Sequence, residues 1–168
     1  GSPLAVHSAR QRSYLQGYLG ERLKRAGLPA DLCPVELGMR YGSPSLADAL
    51  ANLRAAGAAR IVALPLFPQY SAAATGSALA RLHELLAQDW DVPPVTTVGP
   101  FYAEARFHEA WRAVAGEGLA HFAPDHVLFS YHGLPESQLR RSDPGGDVCL
   151  ASPTCCDAIG PANHGCYR

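Results

Sequence analysis

Four of the five cysteines crowd the carboxyl end of the chain. Five residues separate Cys149 from Cys155, Cys156 follows at once, and Cys166 comes after nine more. A secreted disulfide scaffold spreads its cysteines through a smaller chain, so this clustering points to metal or redox use inside the cell. The paired C-x-x-C spacing of common zinc modules is missing, whereas thiolates are soft ligands that suit iron-sulfur clusters. Zinc is therefore not the first choice, and an iron-sulfur cluster, a thiol pair and free thiols stay open. Adjacent Cys155 and Cys156 are an awkward pair for one iron, so a further ligand beyond Arg168 is an option. Cys33 stands apart and reads as a small buried side chain at a strand start.

Other reactive residue types gather just after apolar runs. Arg40-Tyr41-Gly42-Ser43-Pro44 follows the first run and Pro65-Leu66-Phe67-Pro68-Gln69-Tyr70-Ser71 the second. Gly99-Pro100-Phe101-Tyr102 follows the third, and Tyr131-His132-Gly133-Leu134-Pro135 the last. In open parallel sheets the ligand sits beyond the carboxyl ends of the strands, so four aromatic-bearing loops would surround one cleft. A flat, apolar ligand with a few anionic groups suits such a cleft, with rings and prolines for its faces and Arg40 for a carboxylate. Tyr, Pro and Gly are also ordinary loop formers, so spacing alone leaves a purely structural role open.

The elements that must position these loops alternate along the chain. Tyr14, Leu15, Tyr18, Leu19 and Leu23 recur at helical spacing and stop near Gly27. A short strand is expected over 35–39, then a helix from Pro44 to about Gly57 with Leu46, Ala49, Leu50 and Leu53 on one face. The run 60–64 is apolar without alternation, as in a strand covered on both faces. Helix over 76–88, strand over 95–98, helix over 104–119 with Phe107, Trp111, Val114 and Ala115 inward, and strand over 126–130 complete the pattern. This alternation predicts an α/β fold, a parallel sheet with helices on both faces, because parallel strands need crossovers. From Glu136 onward the pattern stops in a stretch rich in Gly, Pro, Ser, Asp and Cys. The expected division is an α/β cleft domain over 1–135 and a cysteine-rich insert over 136–168, truncated at its end.

Composition narrows the function. The chain has 168 residues, 48% of them hydrophobic, enough to close one core. Its 14 basic and 15 acidic residues give a formal charge of -1, so no general field draws in nucleic acid or an anionic membrane. No secretion signal or spanning segment is visible, since the apolar runs fall far short of the roughly 20 residues required. A cytoplasmic protein is expected.

Three strings in this order resemble the ferrochelatase family: Met39-Arg40-Tyr41-Gly42, then Pro68-Gln69-Tyr70-Ser71 with Thr75-Gly76-Ser77, then Tyr131-His132-Gly133-Leu134-Pro135 after Phe129-Ser130. The opening Gly1-Ser2-Pro3-Leu4 also matches a loop of that family, and the resemblance runs over essentially the whole chain. It implies a Rossmann-like fold of chelatase type, one of two similar domains facing across a porphyrin cleft, with the first strand and the second domain missing. The implied activity is insertion of ferrous iron into protoporphyrin IX or coproporphyrin III. The implied partners are that porphyrin and, at most, a peripheral membrane contact. His132 matches the histidine to which iron binding and acceptance of a pyrrole proton have both been assigned. A neutral imidazole suits either role, with a reference pKa near 6.5 and good affinity for ferrous iron. Arg40, Tyr41, Phe67, Tyr70 and Ser71 match positions beside the porphyrin.

Several bacterial members carry an inserted cysteine segment holding a 2Fe-2S cluster, which the resemblance extends to Cys149, Cys155, Cys156 and Cys166. The animal arrangement lacks its first ligand here, because Ala72 stands in the Tyr-Ser loop. Ala74 stands where many relatives have a threonine beside Thr75. The family's catalytic carboxylate lies in the second domain, so the fragment alone should not complete the reaction. Competing expectations are a cobalt or nickel tetrapyrrole chelatase and a non-enzymatic iron-sulfur or haem-binding module.

Overall fold

The computed structural model describes residues 2–166, and its contacts divide the chain into two compact units. The first comprises the segment up to Ala63 together with Ser77–Thr97. The second comprises Leu64–Gly76 and the segment from Val98 onward.

In the first unit α1 spans Pro3–Arg25, starting well before the predicted periodicity, because Pro3 at the first position has the φ a helix needs and lacks only an N–H that would go unbonded. Pro3 and Leu4 are therefore helical rather than loop. Arg22, Lys24 and Arg25 in the last turn complement the negative end of the helix dipole. Gly27, at φ +74°, stops the helix: its N–H donates to Lys24 O and that of Leu28 to Leu23 O, the paired bonds of a Schellman stop. Helix α2, Leu46–Ala55, opens with Ser45 and Asp48 each bonding the other's backbone N–H and ends at Gly57 in the same manner as α1.

Strands β1, Ile61–Ala63, and β2, Val95–Thr97, pair in parallel with Ile61 opposite Val95. Helix α3, Ser77–Leu86, lies on the crossover that a parallel pair requires. Leu50, Ile61, Leu82 and Leu86 form the core, with Ala63, Leu79, Leu85 and Val95 packed on it. Each such burial contributes roughly 1.5–3 kcal/mol before conformational entropy is charged against it. The α/β class and parallel pairing are as expected, but Val62 is exposed, so β1 is covered on one face only.

The predicted strand 35–39 forms no ladder, and side chains take both backbone groups of Val35. Gln16 Oε1 accepts from Val35 N at 2.7 Å and Arg12 Nε donates to Val35 O at 2.7 Å. A single parallel bridge joins Met39 to Ser45. Cys33 is exposed, contrary to expectation; its carbonyl, not its thiol, faces Gln16 Nε2.

The second unit holds a π-helical turn, Ala72–Gly76, then α4, Ala105–Phe122, and α5, Glu136–Ser142. In α4 Phe107 is partly covered and meets Phe101 edge-on at 5.3 Å, whereas Trp111 and Val114 face solvent instead of a core. The predicted strand 126–130 does not form among the described residues, with no ladder partner there and Leu128 93% exposed. No helix among the described residues is long and apolar enough to cross a membrane.

Candidate functional site

Arg40 and Tyr41 lie in the first unit. The Arg40 guanidinium sits over the Tyr41 ring, 4.5 Å from its centroid, and its Nε donates to Ser77 Oγ at 2.9 Å and Ser77 O at 3.2 Å. Those bonds use Nε, and among the described residues no hydrogen bond engages the two terminal nitrogens, which form the fork that receives a carboxylate. Tyr41 is 74% exposed, so one face of the pair is open.

The remaining predicted residues lie in the second unit. Phe101 N and Tyr102 N both donate to Pro68 O, at 2.9 and 3.0 Å, which ties the loop after β2 to the loop carrying Phe67, Tyr70 and Ser71. Ser71 is buried: its Oγ accepts from Ala74 N at 3.1 Å, and its carbonyl accepts from Gly76 N at 3.0 Å. The π-helical turn thus closes on Ser71. Gly76 is glycine for a steric reason, since a Cβ there would lie 2.9 Å from the Tyr70 hydroxyl. Thr75 is buried with no hydrogen-bond partner for its hydroxyl among the described residues. Phe67 is 44% exposed and His132 is exposed.

Cys149, Cys155, Cys156 and Cys166 line one cavity of about 210 Å³, whose wall includes Gly133 and Leu134, the two residues after His132. Cys155 Sγ lies 3.6 Å from Cys156 Sγ, which lies 3.7 Å from Cys166 Sγ. Burial, then the neighbouring Cys166 and Cys155, raises the Cys149 thiol above its ordinary pKa, and hydrogen bonds with Cys155 and Cys166 push Cys156 up to about 12. Each thiol must shed its proton to become a ligand. Among the described residues no three His, Cys, Asp or Glu side chains converge as a ready single-ion site.

Two polar residues that carried no motif hold this segment, which has no regular structure from Asp143 to Cys166. Asp143, buried, accepts from Val148 N at 2.9 Å and Cys149 N at 2.7 Å through one carboxylate oxygen, and those bonds lower its pKa. Asn163, 1% exposed, donates to Cys155 O and Ala158 O at 2.8 and 3.0 Å and accepts from Gly160 N at 2.6 Å. Its carbonyl accepts from Cys166 N at 2.9 Å. The only sequence signal for either was an Asp or Asn in a Gly- and Pro-rich stretch, the usual mark of a turn.

Comparison with known proteins identifies the family. The family model described as Ferrochelatase matches residues 1–156, ending within the cysteine segment. The chain is 38% identical over its full length to a ferrochelatase of Coxiella burnetii (strain Dugway 5J108-111) and covers 43% of that protein. The figures are 38% and 45% for a ferrochelatase of Legionella pneumophila (strain Corby), and 33% and 46% for one of Opitutus terrae. The chain thus spans less than half the length of these relatives. With a family model covering nearly all of its residues, the chain belongs to the ferrochelatase family.

Proposed function

We propose that this chain is the part of a ferrochelatase that binds one side of a porphyrin and presents His132 to the reaction. Family membership carries the reading, because the Tyr131–Pro135 and Pro68–Ser71 strings fall within the matched residues. In the reaction ferrous iron, a substrate, enters the macrocycle, four pyrrole nitrogens become its ligands, and two pyrrole protons leave. An imidazole can accept one such proton or hold the incoming iron. Arg40 is assigned to a propionate, with Tyr41, Phe67, Tyr70 and Ser71 beside the ring. The test is ferrous iron insertion by the complete protein, with protoporphyrin IX and coproporphyrin III compared. Failure with both, alongside insertion of cobalt or nickel into another tetrapyrrole, would replace this reading.

We further propose a 2Fe-2S cluster held by Cys149, Cys155, Cys156 and Cys166. The donors fit: the thiols are soft and all four line one cavity. Spacings of 3.6 and 3.7 Å match the edge of a tetrahedral thiolate centre, about 3.8 Å for metal–sulfur bonds of about 2.3 Å, so a single zinc is the second reading. When bound, the cluster supplies a redox-active crosslink between distant parts of the segment. Complete protein purified without oxygen should be coloured and contain iron and acid-labile sulfide in near-equal amounts. Stoichiometric zinc without sulfide would favour the second reading. Serine at any ligand position should bleach the colour, and Cys33→Ser should not.

A further inference from the structure

The segment that forms the cysteine cavity meets both loops that carry the proposed porphyrin chemistry, one at the cavity wall and the other beside Cys166. Gly133 and Leu134, directly after His132, form part of its wall. On its other flank, Cys166 is preceded by His164 and Gly165, and both meet Tyr70. The His164 and Tyr70 rings lie 6.0 Å apart at a tilt of 36°. Gly165 is buried so close that a Cβ there would sit 3.4 Å from Tyr70 O and 3.8 Å from its ring. Asn163 anchors this stretch, holding Cys155 through its side chain and Cys166 through its carbonyl.

From this arrangement we infer that the cysteine segment is a positioning element for the Tyr70 and His132 loops, so that metal held in its cavity tightens both at once. The inference rests on the cluster reading above for its metal, and on the geometry alone for the support of Tyr70. The physical reason is the lack of other order: between Asp143 and Cys166 the chain has only turns, so its conformation rests on Asp143, Asn163 and whatever joins the four thiols. Ligation would replace thiol contacts of 3.6 and 3.7 Å with bonds and remove local openings of the segment. Because Tyr70 leans on the residue next to one ligand and His132 adjoins the cavity wall, both loops would share that loss of motion. Linkage makes the effect reciprocal, so porphyrin on these loops would raise the metal affinity of the cavity by the same factor.

Amide hydrogen exchange on the complete protein tests this, read over peptides covering 64–76 and 131–135 before and after anaerobic loading with ferrous iron and sulfide. Loading, verified by the visible chromophore, should slow exchange in both peptides by about 5- to 150-fold, the range of ordinary coupling between sites. His164→Ala lies on an exposed residue and should keep the chromophore. It should lose the slowing at 64–76 and retain it at 131–135. A chromophore that forms with no change in either peptide overturns the inference. If no chromophore forms, the cluster reading fails by itself, and Asn163→Ala in the unloaded protein decides the support. Faster exchange at 64–76 upholds it, and an unchanged rate overturns it.

Discussion

His132 stands on an exposed loop with Gly133 after it and Pro135 beyond, so its imidazole is held by backbone rather than by packing. Replacing it should spare the fold and remove chemistry. In the complete protein His132→Ala is expected to keep its porphyrin affinity and melting temperature while iron insertion falls by about 10² to 10⁴, the usual loss for an acid–base group. A lower melting temperature with a proportionate, cold-recoverable loss of activity would mark the histidine as structural. Arg40 differs in kind, because its Nε is committed to Ser77 and its guanidinium lies over the Tyr41 ring. Arg40→Leu should weaken porphyrin binding by about 1.5 to 3 kcal/mol before solvent exposure is discounted. An unchanged porphyrin titration would reduce Arg40 to a strut between the Met39 bridge and α3.

At the scale of elements, short-range chemistry decides where helices begin and end. Ser45 and Asp48 close the amino end of α2, and the hydrogen bonds from Ser45 lower the Asp48 carboxyl below its ordinary value of 3.8. A carboxyl depressed in the folded state stabilises fully above its unfolded pKa, and that stabilisation is lost as the pH falls through the lower folded value. Ser45→Ala should cost about 0.5 to 2 kcal/mol near neutrality, measured by urea unfolding. The gap in melting temperature between the parent and Asp48→Ala should narrow as the pH drops below that ordinary value. A gap constant from neutral to strongly acid pH would show that the cap is not formed in solution. The cysteine segment follows another rule, because its order comes from two polar side chains rather than from a backbone ladder.

For the whole molecule, the notable feature is how much apolar surface stays uncovered. Leu128, Phe129, Val114, Phe122 and Trp111 are 62 to 93% exposed, all within the second unit, and the buried cluster of four leucine and isoleucine side chains belongs to the first. Soluble monomers rarely leave apolar area of that extent in water. The 168-residue chain by itself is therefore expected to bind a hydrophobic dye and to self-associate, with a sedimentation coefficient that rises with concentration. A dye-free monomer at all concentrations would show that these side chains find cover within the chain in solution. A net charge of only -1 would do little to oppose such association.

What the sequence determined by itself was whatever nearest neighbours encode. Gly27 and Gly57 stop helices because only a residue without Cβ takes positive φ at little cost, and the α/β alternation follows from periodicity. The reactive strings are contiguous, so the family was readable from them. Tertiary structure decided which strands find partners. The run 35–39 forms no ladder, with Gln16 and Arg12 bonding Val35 at its start, while β1 and β2 pair over three residues each. It also decided that Cys33 faces solvent, that the four clustered cysteines share one cavity, and that Asp143 and Asn163 hold them there. The meeting of Tyr70 with His164 and Gly165 belongs to the same class. Such contacts join residues far apart in the chain, and no local spacing encodes them, because they depend on which surfaces are left to bury once the helices have formed.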